Sequence, residues 1–132
     1  MKNNKRLGIF MDHARATLIE DSGEIIGQNN IVGQLTPKEK GIDHKENESQ
    51  TLSKEQRLLS GFYKGLESAI IGYQEVLLFG PTHAKDELYN LLKENHLFDD
   101  IKIETRNSDK ISEVEMQSFV KDYFNDAGTK ND

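Results

Sequence analysis

The chain's 132 residues suit one domain around a single core and leave no room for a second. It contains no cysteine, which excludes a disulfide framework, a thiolate metal site and a cysteine nucleophile, and fits a reducing compartment. The net charge of −6 is uneven: residues 1–64 carry ten Lys/Arg against nine Asp/Glu, residues 65–132 seven against fourteen. An acidic total argues against broad non-specific binding of nucleic acid, which needs basic groups to neutralise phosphates, and leaves room for a basic surface only in the N-terminal half.

The basic start, Met1 to Arg6, leads into the short apolar run Leu7 to Met11, closed by Asp12 and His13. That run is too short for a secretion signal, and no stretch approaches the about 20 apolar residues of a membrane span, so a cytoplasmic location is expected. Leu7 to Asp12 and Ala14 to Glu20 read as β-strands, the second alternating Ala16 and Leu18 against Thr17 and Ile19, with a tight bend between them. Asp21-Ser22-Gly23-Glu24 supplies a turn, and Glu24 to Val32 reads as a third strand; links this short imply antiparallel pairing.

From Gly33 to Leu52 almost nothing is apolar, and residues 34–52 are expected to form a flexible loop. Composition alone favours an ordinary solvated insertion, although loops of this length in small domains often carry function. Ser53 and Gln56 make a capping-box pattern for a helix whose Leu59, Phe62, Leu66, Ala69, Ile70 and Tyr73 share one face. Val76-Leu77-Leu78-Phe79 is apolar at every position, as in a central strand covered on both faces. Pro81 suits the start of a second helix with Leu88, Leu91 and Leu92 inward. Ile101 to Thr105 reads as a more exposed strand, and Asn107-Ser108-Asp109 as a turn. Ser112 and Glu115 cap a last helix, flanked by the staple pair Ile111 and Met116, with Phe119, Val120, Tyr123 and Phe124 on its apolar face.

The predicted order is β-β-β-α-β-α-β-α in a single domain over residues 1–132, with an ordered core from 6 to 125 and a frayed tail over 126–132. Right-handed helical crossovers make the later strands parallel, giving an α/β, three-layer domain with a mixed five-stranded sheet in a ribonuclease H-like arrangement.

In such a sheet ligands gather beyond the carboxyl ends of the strands. The rule points to Asp12 and His13 after strand 1, to Gly80, Thr82, His83 and Lys85 after strand 4, and to Asn107 and Ser108 after strand 5. Gly80 to Lys85 is a strand-to-helix turn whose amides and dipole favour an anion, but it lacks the second glycine and the Lys-Ser/Thr pair of a Walker loop. Helix capping by Thr82 with a solvated Lys85 is the preferred reading there. Asp12 stands where a ribonuclease H-like enzyme would hold its first metal, with Glu67 the only plausible partner; local bonding to the adjacent backbone is preferred. His13, His44, His83 and His96 show no close helical pairing of a zinc site, and no Gly-x-Ser-x-Gly elbow occurs. No catalytic residue, metal site or cofactor is assigned.

Leu7 to Glu20, the long polar loop, the long helix and the segment Val76-Leu77-Leu78-Phe79-Gly80-Pro81-Thr82-His83-Ala84-Lys85-Asp86-Glu87-Leu88 together resemble the middle domain of the eukaryotic and archaeal class I peptide release factors and of Pelota. The resemblance covers about residues 6–125 and implies a ribonuclease H-like fold of the translational machinery, of which bacteria carry small stand-alone relatives. In the release factors the loop before the long helix presents a Gly-Gly-Gln tip that promotes hydrolysis of peptidyl-tRNA. The equivalent stretch here, up to Gln50, has no two adjacent glycines, so that chemistry does not transfer. Pelota-type proteins also lack the tip and act in ribosome rescue. The resemblance therefore implies a non-catalytic, translation-associated domain that binds ribosome, RNA or tRNA through the loop and through Arg15, Lys38, Lys40, Lys45, Lys54 and Arg57. The alternatives are a metal-dependent nuclease or phosphate-ester hydrolase centred on Asp12 with His83 and Lys85 assisting, and a self-associating scaffold. Oligomeric state is not legible.

Overall fold

The computed structural model describes the backbone of residues 5–31 and 48–131 and the side chains of residues 5–31 and 56–125. Five strands, β1 (Arg6–Met11), β2 (Arg15–Glu20), β3 (Ile25–Asn30), β4 (Glu75–Gly80) and β5 (Lys102–Asn107), form one sheet in the order β3-β2-β1-β4-β5. The first three strands pair antiparallel and β1, β4 and β5 pair parallel. The sheet is mixed and the class α/β, as the element order predicts. Three helices are described: α1 (Glu48–Ile70), α2 (Ala84–Lys93) and α3 (Glu113–Asn131), with a 3-10 turn at His96–Phe98.

Alternation along the strands divides the core in two. Leu7, Ile9, Met11, Ala16, Leu18, Val76 and Leu78 face α1 and α2, where they meet Phe62, Leu66, Ile70, Leu88 and Leu92. Phe10, Ile19, Leu77 and Phe79 face α3, where they meet Met116, Val120 and Phe124. Both faces of β1 and β4 are covered, which explains their unbroken apolar runs. Gly8 lets α3 approach, since a Cβ there would stand 2.5 Å from a Val120 methyl. Phe79 stacks on Phe119 with ring centroids 4.5 Å apart. Among the described residues no helix is long and apolar enough to cross a membrane.

Boundaries moved in several places. Helix α1 starts at Glu48, ahead of the Ser53 pattern, because Glu48 to Leu52 contains no glycine, proline or β-branched run to stop it. The rest of the predicted 34–52 loop lies outside the described residues. Helix α3 continues to Asn131 where a tail was expected; Gly128 lowers helix propensity by only about 1 kcal/mol and does not end it. Leu91, expected in the buried stripe of α2, is 40% exposed, whereas Leu88 and Leu92, four residues apart, are buried. The Ser112–Glu115 capping box forms in full: the Ser112 hydroxyl accepts the Glu115 amide at 3.2 Å, and Glu115 Oε1 accepts the Ser112 amide at 2.9 Å.

Candidate functional site

The three predicted strand ends come together at one edge of the sheet. A Cβ on Gly80 would overlap the Met11 carbonyl, and Gly80 sits at φ +154°, so the β1 and β4 ends meet backbone to backbone where only glycine fits. The Ser108 amide donates to the Gly80 carbonyl at 3.1 Å and ties in the end of β5.

The side chains, however, turn to separate partners. Asp12 Oδ1 accepts the Ala14 amide at 2.8 Å and the Arg15 amide at 2.9 Å, fixing the bend between β1 and β2. That is the local role its position suggested. Thr82 Oγ1 accepts the Ala84 amide at 3.2 Å at the start of α2. His83 is 90% exposed and faces Asp86 at 3.3 Å. Lys85 departs from expectation: it is 3% exposed instead of solvated, and its ammonium donates to the Thr82 carbonyl at 2.7 Å. Its aliphatic stem packs inward while its head satisfies a carbonyl of the same turn, so it is not extended toward an anion.

The contact that does cross elements joins His13 to two residues that were not among the candidate site residues, Tyr63 and Glu87. Glu87, in the first turn of α2, accepts the Tyr63 hydroxyl of α1 at 2.6 Å and faces His13 Nε2 at 3.2 Å. The Tyr63 hydrogen bond, the largest influence, holds the Glu87 carboxyl below its ordinary range against the opposing effect of burial, with His13 adding to the lowering. Burial, then the bond to Glu87, pushes the Tyr63 phenol well up. Tyr63 was legible in principle, standing four residues after Leu59 on the inward face of α1, and Glu87 sits where an acidic residue complements a helix N-terminus. At the opposite end of the strands Tyr73 donates to Glu20 at 2.8 Å, and burial with that bond raises its phenol to about 12.

Glu67 does not join Asp12. It borders a recess with Lys64, Leu91, Glu94 and Leu97 near the C-terminal end of α2, away from Glu87 at the N-terminal end. Among the described residues no three His, Asp or Glu side chains are placed to hold a metal ion. His96 bonds Asp99 at 3.1 Å. Of the basic contact residues, Arg15 opens β2 and Arg57 lies exposed on α1. The side chain of Lys54, and Lys38, Lys40, Lys45 and His44 altogether, lie outside the described residues.

No protein-family model and no curated protein matches the chain by sequence. Three solved chains match by structure. One is Pelota of Archaeoglobus fulgidus, with a TM-score of 0.52 over 98% of this chain at 9% identity. The chain spans 38% of that protein's length. The likeness is one of fold: this chain has the architecture of a domain that occurs in an archaeal Pelota.

Proposed function

We propose that the chain is a non-catalytic, translation-associated domain that meets RNA or a ribosomal partner through the segment 34–52 and the basic groups Arg15, Lys38, Lys40, Lys45, Lys54 and Arg57. The observation that carries this reading is the shared fold with archaeal Pelota along 98% of the chain, added to the resemblance of the strand-Gly-x-x-x-x-Lys-x-Glu-Leu segment. Two further facts favour binding over catalysis: the chain has no Gly-Gly-Gln tip, and both backbone bonds of Asp12 go to one oxygen in a structural turn.

Co-sedimentation with ribosomes at graded salt tests the proposal. The wild-type chain is expected to pellet with ribosomes at low salt. A Lys38→Glu, Lys40→Glu, Lys45→Glu variant should lose most of that association, because each phosphate contact contributes to the salt slope. Absence of co-sedimentation at the lowest salt overturns it.

A further inference from the structure

Exposed leucines are ordinary when scattered, but Leu91 and Leu97 border one recess, of about 630 Å³, between α1 and the C-terminal end of α2. Leu91 is 40% exposed and Leu97 73%. A fixed turn holds Leu97 outward: Asn95 Oδ1 accepts its amide at 3.0 Å, and the next residue, Phe98, is anchored in the core. A side chain presented this way loses little freedom when something covers it. On the α1 side Ile71, 46% exposed, stands one turn beyond Glu67, whose carbonyl accepts its amide at 3.1 Å.

The charge around these apolar groups is acidic. Glu67 and Glu94 line the recess with no ion pair among the described residues, against one ammonium, that of Lys64. His96, also in the lining, brings the Asp99 carboxylate to within 3.1 Å of its ring. The helices add to the same field. Tyr63 reaches Glu87, 24 residues on, and Glu67 shares the recess with Leu91, again 24 residues on (91 − 67), so α1 and α2 run side by side in the same direction. Both turn their C-terminal ends this way, and helix C-termini favour cations.

We infer that this recess docks a basic amphipathic helix of a protein partner, its apolar face on Leu91 and Leu97 and its lysine or arginine side chains on Glu67 and Glu94. A helix laid in a groove is a recurrent mode of peptide recognition, read through anchors three or four residues apart. The charge selects this occupant. Nucleic acid and anionic membrane surfaces are repelled by the same carboxylates. A second copy joined through this face about a two-fold axis would set acidic groups against acidic groups. The inference does not rest on the translation-associated reading.

Fluorescence anisotropy of two dye-labelled synthetic peptides tests it on the purified chain: a leucine–lysine helix with all leucines on one face, and the same peptide with glutamate in place of lysine. The basic helix should bind and the acidic one should not. Leu97→Ser should weaken binding about tenfold, as for one leucine side chain left in water; its exposure keeps the fold out of the result. Glu67→Gln combined with Glu94→Gln should weaken binding by about three- to tenfold and flatten its dependence on salt. Glu24→Gln combined with Asp109→Asn removes the same charge from exposed positions elsewhere and should leave binding unchanged. No binding of the basic helix, equal or tighter binding of the acidic one, an affinity that Leu97→Ser leaves unchanged, or an equal loss in the Glu24 and Asp109 control overturns the inference. A doubled solution mass that Leu97→Ser returns to the single chain also overturns it, in favour of a second copy.

Discussion

Replacing Gly80 by alanine tests how the strand ends are joined. The new Cβ would overlap the Met11 carbonyl oxygen and would sit at φ +154°, a conformation that L side chains rarely adopt. The backbone conformation alone costs about 1–2 kcal/mol. Relieving the overlap means parting β1 from β4, which strains the 3.1 Å bond from the Ser108 amide to Gly80 and adds about 1 kcal/mol. The sum is about 3 kcal/mol. An unfolding entropy near 2.1 cal/mol/K per residue over 132 residues converts this to a fall in Tm of about 11 °C. Thermal unfolding followed by circular dichroism reads it, with Gly27→Ala as control, since nothing lies within 4 Å of a Cβ there. Amide exchange at Ser108 should quicken in Gly80→Ala. A Tm within about 3 °C of wild type, with Ser108 still protected, would refute the backbone-to-backbone account.

Tyr63→Phe removes the first cause of the lowered Glu87 pKa, so carbon NMR should find that carboxyl titrating at higher pH in the variant. Because the folded pKa is depressed, its stabilisation is present above the unfolded value of about 4.3 and is lost as pH falls through the folded one. The wild type should lose more stability than the variant across that acid window, by about 1 kcal/mol after allowance for a half-exposed carboxylate. Ser112→Ala should cost about 1 kcal/mol, read as a fall in Tm of about 4 °C; no change would mean that the capping box contributes nothing to α3. In alkaline titration the Tyr73 phenol, raised to about 12, should stay neutral through the range near pH 10 where ordinary tyrosines ionise. Its contribution to stability is full below that range and disappears as pH rises toward 12, so phenolate absorbance from Tyr73 appearing at pH 10 in folded protein would contradict its bond to Glu20.

What could be read from the residues was whatever the core dictates. Leu7 to Met11 and Val76 to Phe79 are apolar because they lie under helices on both sides, and that pattern was visible without coordinates. The capping box at Ser112 was legible because its partners are three residues apart. The strand-end convergence followed from topology. The contacts made there did not, because a sequence carries the type of Lys85 but not the turn back to the Thr82 carbonyl, and carries Glu87 without revealing that Tyr63, 24 residues earlier, would reach it. Leu91 misled for a related reason: it stands one residue from Leu92, and here the buried stripe of α2 runs through Leu88 and Leu92, one turn apart, leaving Leu91 turned toward solvent.

The division of the core into two faces also sets an order on assembly. Phe10, Ile19, Leu77 and Phe79 belong to strands complete by residue 80, yet their cover, α3, is made from residues 113–131. During synthesis that face stays bare while the α1 and α2 side can already pack, and a chain stopped before Glu113 would display two phenylalanines and two aliphatic side chains on one open sheet. Such a fragment is a natural client for chaperones and proteases, and the last helix acts as the step that commits a newly made chain to the folded state.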